Sequence, residues 1–412
     1  MASSPGLLPQ RELPVDLLQL PDPYPLLADL RAQAPVVRVT NRMGMDAYLI
    51  TRHEHVRDGF ADPRLSSDPQ HASRELLAAM DVTMSRTVNA FAGTMVATDP
   101  PTHSRLRRAV APGFTSRRVQ QLRGNLTEHA TQLLKETPRE APADLVTQLV
   151  NPVTEQVACD IMGLPATDGA QVIALMEQLV TAPANAELQA RADAAGLELA
   201  GFLSSMLRER ASAPAQDLLS TLAAAQQQGQ LSEQETLLTA LLMLGSSLIN
   251  PRGALGCALL SLARHPQEWH RVCAMGLSVS AAVEELLRYD GPLALGMVRY
   301  AEQDIEYEGS LIPQGSLAFL GIGSANRDER CFTDPDRLDL SRSSNPHLTF
   351  GHGIHHCLGA PLARLQLESI IKALHLRDAT PTLAVPYQTV RWNEQVVRSP
   401  AEAPIQFART KE

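Results

Sequence analysis

The sequence predicts a mainly α-helical fold with a small β region built from both ends of the chain. Helical patterns dominate from Pro100 to Ala263, broken only by short Pro/Gly segments such as Gly163–Pro165 and Ala211–Pro214. One of these patterns is much longer than an ordinary helix. Strand-like runs are short and lie near residues 34–60, 290–320 and 385–410, leaving 61–289 and 350–378 to the helical body.

The elements follow in order. Val36–Val39 and Ala47–Thr51 carry the β-branched and aromatic content of two strands, and the chain then turns helical up to Phe60. Ala61 to Gly93 is turn-rich, with one helical stretch near Arg74–Met80. Ser232, with Glu235 three residues on, forms a capping box. If the pattern it opens continues to Ala263, that helix is roughly 50 Å long at about 1.5 Å per residue. Only a helix crossing the middle of a large domain needs that length. Helix returns at Ala281–Tyr289. Strands are expected near Met297–Tyr300, Asp304–Tyr307 and Leu317–Leu320, and further hairpin at Val390–Trp392, Val396–Val397 and Ile405–Phe407.

A chain of 412 residues, 44% hydrophobic, can bury a large core and would ordinarily divide. A single domain over 1–412 is expected if one bound group organises it. The net charge of -9, without a long basic stripe, excludes nucleic acid as a partner. Lysine occurs only at Lys135, Lys372 and Lys411, an arginine bias that reads as a high-GC genome. The first ten residues lack a signal pattern, and no apolar run reaches the roughly 18 residues a bilayer requires. The longest, Leu237–Ile249, contains Ser246 and Ser247. A cytoplasmic protein without membrane attachment is expected. Five cysteines show no paired spacing and should be reduced. Cys159, Cys257 and Cys273 sit in apolar helical contexts as buried fillers, and Cys331 in a charged loop.

Cys357 is different. It ends the run from Phe350 to Gly359 and directly precedes an amphipathic helix, Ala360 to Leu374. A thiol at a helix N-terminus faces free N–H groups and the positive end of the dipole, both of which favour thiolate. Gly351, Gly353 and Gly359 let the backbone bend around the sulfur, and Phe350 would shield it. A shielded, hydrogen-bonded thiolate suits an axial ligand to iron.

At Phe350, Gly353, Cys357 and Gly359 the sequence resembles the cytochrome P450 superfamily, whose haem-binding loop reads F-x-x-G-x-x-x-C-x-G. The resemblance implies the P450 fold. Haem b (iron protoporphyrin IX) would lie between the long central helix and the helix after Cys357, with Cys357 as the metal ligand. Thr98 to Arg107 resembles the family segment that binds a haem propionate and puts His103 and Arg107 on one helix face. Arg299 and His355 resemble further propionate ligands. Glu285 and Arg288 match the family's E-x-x-R, with Arg337 placed to complete the triad. The resemblance runs from about Asp22 to Phe407 and is closest to soluble actinobacterial enzymes that tailor natural products.

The central helix departs from the pattern. The family's oxygen-activating motif sets an acid beside an alcohol, and those positions are Ile249 and Asn250 here. Pro251 removes an N–H and opposes the Ser247 carbonyl, so a kink or bulge at Ser247 is expected. Ser246, Ser247 and Asn250 are the remaining polar groups and the candidate catalytic residues. Three functions are compatible with this: a monooxygenase relaying protons through Asn250, water or the substrate; an oxidase of unusual outcome such as coupling, ring closure, desaturation or peroxide use; and a P450-like auxiliary protein without catalysis, against which retention of Cys357, His103 and Arg299 argues.

The substrate pocket is expected from Ser66–Val96, Ala166–Ala195, Leu241–Asn250, Leu293–Val298 and Val396–Val397. These segments are mostly apolar, implying a largely apolar small molecule, free or carrier-bound. The segment Ala182–Ala200 is expected to act as a lid. No flavin or iron–sulfur motif occurs, so the family mechanism implies ferredoxin and ferredoxin reductase as electron donors. Arg105, Arg108, Arg117 and Arg118 are candidate contacts for the ferredoxin.

Overall fold

The computed structural model describes residues 10–12, 20–40, 46–83, 93–139, 141–165, 167–180, 185–276, 278–393 and 397–409. The helices that frame the site are α1 (Tyr24–Gln33), α2 (His53–Ala61), α3 (Thr102–Val110), α4 (Arg123–Glu136), α5 (Asn151–Met162), α6 (Gly169–Val180), α7 (Ala186–Ser212), α8 (Glu233–Arg264), α9 (Val279–Tyr289) and α10 (Ala360–Arg377). The main strands are β1 (Gln10–Glu12), β2 (Val36–Thr40), β3 (Asp46–Ile50), β4 (Leu65–Ser66), β5 (Met297–Ala301), β6 (Leu317–Leu320), β7 (Ala379–Leu383), β8 (Arg391–Trp392), β9 (Pro400–Glu402) and β10 (Pro404–Arg409), beside the short strands Ala143–Asp144, Ile305–Tyr307 and Ser310–Ile312. No helix among the described residues is long and apolar enough to cross a membrane.

Both ends of the chain build one six-stranded sheet, ordered β1-β2-β3-β6-β5-β4. The hairpin of β2 and β3 comes from the start of the chain. Its outer edge pairs in parallel with β6, Ala47 opposite Leu317 and Ile50 opposite Leu320. Leu27 and Leu30 of α1 pack on Val37, Val39 and Leu49, while Val36 and Ile50 face Val56 and Phe60 of α2. The period-2 alternation of β2 and β3 therefore serves two small cores, one on each face of the sheet. Of the C-terminal strands, β10 pairs with β7 on one side and with the short strand Ala143–Asp144 on the other, and β8 pairs with β9. Val397 is a bend rather than a strand, and Val396 lies outside the described residues.

Helix α8 runs through the main core and packs on α5, α7, α9 and α10. The capping box is present. Glu235 N–H donates to Ser232 Oγ at 3.2 Å, and Ser232 N–H donates to Glu235 Oε2 at 2.9 Å. Arg105 also donates to the Glu235 carboxylate, and this hydrogen bond first, with that from Ser232 N–H, holds its pKa at about 2. Gly253 and Gly256 let the C-terminal hairpin sit directly on α8. A Cβ at Gly253 would lie 2.7 Å from the Arg398 carbonyl oxygen, and one at Gly256 would lie 2.6 Å from Pro400 Cδ. Of the kink or bulge expected at Ser247, no bulge forms: the segment stays α-helical through Pro251. Buried packing of this long helix outweighs the cost of one missing hydrogen bond, about 3 kcal/mol for a proline in a helix interior.

The buried charge network has a different third member from the one expected. Arg288 donates to both oxygens of Glu285, at 2.7 and 2.8 Å, and the pair is fully buried. The second arginine is Arg342, whose Nε donates to Glu285 Oε2 at 3.0 Å. Arg337 contributes only its carbonyl oxygen, which accepts from Arg288 at 3.2 Å. The Asn345 side chain and the Asp339 N–H also donate to Glu285, so its oxygens are saturated. Among the cysteines Cys257 is buried, Cys159 and Cys273 are partly buried, and Cys331 is exposed.

Candidate functional site

A cavity of about 240 Å3 opens between α8 and the start of α10. Met243, Ser246, Ser247 and Asn250 line one side, and Cys357, Leu358, Leu362 and Ala363 the other. The cysteine loop is held by its own backbone, since Cys357 N–H donates to the Phe350 carbonyl at 2.9 Å. Gly351 and Gly353 both have φ +69°, the left-handed region, and lean on Phe60 of α2. A Cβ at Gly353 would lie 3.1 Å from the Phe60 carbonyl oxygen. Gly359 has an ordinary φ of -82°, and its contribution is an N–H turned toward the Cys357 sulfur.

The sulfur does not ionise as readily as its helix-terminal position suggests. Burial pushes the Cys357 thiol up, and this outweighs the N–H groups of Gly359 and Ala360 and the charges of Arg107 and Arg364, all of which favour thiolate. A metal cation at the sulfur would remove the proton outright. Phe350, expected as a shield, is braced from outside: the Arg364 guanidinium lies 4.5 Å from its ring centre. Arg364 is in turn held by Glu284, at 2.6 and 2.8 Å, and His347 lies 3.1 Å from the same carboxylate.

Burial alone would raise the Glu284 pKa, but the hydrogen bonds of Arg364 and His347 bring it down to about 2. A folded-state pKa below the ordinary 4.5 stabilises the protein fully above about pH 4.5, and that contribution fades as pH falls toward 2. Glu284→Gln should therefore melt lower than the parent at neutral pH, with the gap narrowing through that window. A gap that stays constant in melting scans between pH 5 and pH 3 would show that the carboxylate's charge is not responsible.

One end of the cavity is walled by cationic and donor groups. His103 is 2% exposed, and neither of its ring nitrogens has a partner among the described residues. Burial first, then Arg107, lowers its pKa. The His355 ring lies 4.1 Å from that of His103, centre to centre, and burial together with Arg299 and His103 brings its pKa to about 3. Arg299 is also 2% exposed, donates at 2.7 Å to the Val298 carbonyl, and has no carboxylate within ion-pair distance among the described residues. Burial lowers its pKa to about 10. Arg107 donates to the His356 carbonyl at 2.7 Å. A buried arginine without an acid is costly unless a bound anion compensates it.

The opposite wall belongs to α8. Ser247 Oγ donates to the Leu244 carbonyl at 2.8 Å. Ser246 and Asn250 stand one turn apart on the cavity face. Pro251 has no N–H, so the Ser247 carbonyl keeps a free acceptor position. Ile249 points elsewhere. Its Cδ1 and Met176 Sδ of α6 both lie within 4 Å of where a Cβ on Gly245 would sit. Met95, Val96, Leu293 and Met297 complete an apolar lining. No described residue of 166–195 lines the cavity, and Val397 packs against Gly253 instead. The expected contributions of 84–92 and Val396, and 181–184 of the expected lid, lie outside the described residues. Ala192, Ala195 and Leu199 of that segment are buried helix positions.

The comparisons with known proteins agree with this geometry. A family model described as Cytochrome P450 matches residues 277–377. Nocardicin C N-oxygenase of Nocardia uniformis subsp. tsuyamanensis is 37% identical, over 93% of this chain and 95% of that protein. The chain belongs to the cytochrome P450 family. Vitamin D(3) 25-hydroxylase of Pseudonocardia autotrophica is 35% identical, over 93% of each chain. Among solved structures, the bacillaene polyketide synthase cytochrome P450 PksS of Bacillus subtilis 168 superposes with TM-score 0.85 at 31% identity, covering 94% of this chain and 97% of that one. CxnD, a cytochrome P450 for C–S bond formation in chuangxinmycin biosynthesis, gives TM-score 0.83 at 30% identity and covers 98% of both chains.

The P450 fold, with its helical body and small sheet, is thus established, and the family carries haem iron. The residues present fit that group. An apolar cavity has a thiol on one wall, and at one end a buried arginine that, among the described residues, has no acid partner, beside a histidine whose two ring nitrogens have none either, donors suited to the carboxylates of a haem. The residues expected to bind haem or to catalyse all line this one cavity, whereas several of the segments expected to form the substrate pocket do not. Four supports were missed: Arg364 and Glu284, Phe60, and Gln366, whose buried amide has no partner among the described residues. Only Arg364 and Gln366, polar residues two apart in the otherwise apolar start of the helix after Cys357, left a trace in the sequence. Of the four arginines expected on the surface, Arg105 is tied to Glu235 and Arg118 to the Asp217 carbonyl and Thr221. Arg108 and Arg117 are exposed.

Proposed function

We propose that this P450 is a single-domain oxidoreductase that holds haem b through Cys357 and oxidises a small to medium, largely apolar natural product, with proton delivery arranged atypically. The observation that carries the reading is Asn250: a carboxamide faces the cavity where the family places an alcohol, while Ile249, at the acid position, turns away toward α6. When bound, the haem iron supplies oxygen activation and one- or two-electron oxidation of the substrate. The chain's own residues do the rest. Cys357 would ligate the metal, Arg107 and Arg299 would neutralise the propionates, and the His103 and His355 rings would hydrogen-bond them. Ser246, Asn250 and the free Ser247 carbonyl supply donors and acceptors for an ordered water that passes protons into the cavity. Met243, Leu293 and Met297 exclude bulk water around the substrate. Electrons would come from a ferredoxin and its reductase, docking where Arg108 and Arg117 remain uncommitted.

A second reading has the same cavity oxidise without inserting oxygen, as in coupling, ring closure or bond formation to sulfur. The missing acid favours it, and the printed title of CxnD concerns C–S bond formation. The named relatives are oxygenases and hydroxylases, which supports an enzyme over an auxiliary protein.

Two sets of variants separate the readings. Asn250→Ala should lower the fraction of reductant ending in product by roughly tenfold or more, since a positioned proton donor is worth about 10²–10⁴ in rate. The triple change Ile249→Asp, Asn250→Thr and Pro251→Val should raise that fraction for a hydroxylated product. Unchanged coupling in both, with a known substrate and peroxide release measured, would remove Asn250 from proton delivery. A Soret titration of the ferric protein with terpenoid, polyketide, cyclic-peptide and aromatic candidates identifies the substrate class by its shift toward high spin.

A further inference from the structure

We propose that Ser67, clamped by Asp99, is a positioning residue that fixes the His355 ring in the cationic wall; this rests on the reading of that wall as the haem propionate site. The chain leaves β4 at Ser66, and the next residue, Ser67, is 5% exposed. Ser67 Oγ is hydrogen-bonded to His355 Nε2 at 3.1 Å. Ser67 and His355 are far apart in sequence, so the contact joins two distant parts of the chain.

The clamp is specific. Ser67 N–H donates to Asp99 Oδ1 at 3.1 Å, and the Ser66 hydroxyl donates to the other Asp99 oxygen. Asp99 also accepts, through its carbonyl oxygen, the His103 N–H at 3.0 Å. One residue thus ties the support of His355 to the first turn of the helix that carries His103. The two imidazoles then pack ring against ring, and wall and support form one unit.

An imidazole can rotate and presents two different nitrogens. With Nε2 engaged by Ser67, Nδ1 is the polar atom left for an anionic group, and the ring plane is fixed. Outer partners of this kind commonly decide how well an inner ligand performs.

The test uses the haem-loaded protein and the rate at which haem transfers to excess apomyoglobin. Loss of one hydrogen bond should make Ser67→Ala release haem roughly two- to tenfold faster than the parent. In a His355→Ala background the same change should add nothing, because the hydroxyl acts through that ring. A parent rate in Ser67→Ala would overturn the proposal. So would equal acceleration with and without His355, which would mean that Ser67 only braces the segment after β4. A parent protein that takes up no haem in a direct hemin titration would overturn the underlying haem reading as well, and that result is visible before any variant is made.

Discussion

Cys357→Ser is expected to abolish turnover while leaving the fold intact. The sulfur is the single soft donor in the cavity wall opposite α8, and the loop around it is held by backbone contacts that do not involve the side chain: Cys357 N–H to the Phe350 carbonyl, and the left-handed turns at Gly351 and Gly353. Serine keeps those contacts and removes only the thiolate. Loss of an outer-shell partner in a metal site costs roughly 10–100-fold, so loss of the ligand should exceed that. The readouts are far-UV circular dichroism and the carbon monoxide difference spectrum of the reduced protein. The first should match the parent, and the second should lose its thiolate character. A variant that keeps the thiolate spectrum would deny Cys357 the role of ligand.

Glu285→Gln should be the most destabilising single change in the core. The carboxylate accepts from Arg288, Arg342, Asn345 and the Asp339 N–H, and both Glu285 and Arg288 are fully buried. Removing its charge leaves Arg288 uncompensated, and breaking a buried pair in this way costs about 3–5 kcal/mol. Against a total stability of about 5–15 kcal/mol for a typical protein, that predicts poor soluble yield and a melting transition lowered by many degrees. The two arginines provide the internal control. Arg342→Ala should approach the Glu285 variant in cost, whereas Arg337→Ala should stay within about 0.5 kcal/mol, as a substitution outside the network does. Equal losses at Arg337 and Arg342 would mean that the Arg337 guanidinium enters the network in solution.

These two sites illustrate what was legible in the sequence. The cysteine loop has fixed spacing because its left-handed turns, the hydrogen bond from Cys357 N–H to the Phe350 carbonyl and the start of the next helix all close within a short stretch of chain, and such local constraints leave a pattern. The same holds for the capping box at Ser232 and for the E-x-x-R pair, each closed within one helical turn. The partner of that pair was misplaced because it comes from an irregular segment. Asp334 to Asn345 has no period to read, and either of its two arginines, Arg337 or Arg342, could reach Glu285. Ile249 and Asn250 were identified by counting, but the count could not tell which of them faces the cavity. That depends on the rotation of α8, set by packing against Met176 on one side and by the C-terminal hairpin seated on Gly253 and Gly256 on the other.

The way the six-stranded sheet is assembled also sets an order of events during synthesis. Strands β2 and β3 leave the ribosome among the first residues, yet the edge of β3 is completed only when β6, in the last quarter of the chain, arrives to lie against it. A two-stranded hairpin is marginal in water on its own. The nascent chain must therefore carry Ala47–Ile50 as an open, apolar edge while the whole helical body is made. Such edges invite pairing with other chains. Expression at reduced temperature, or with more chaperone, should accordingly raise the yield of this protein more than tighter packing of its helical core would.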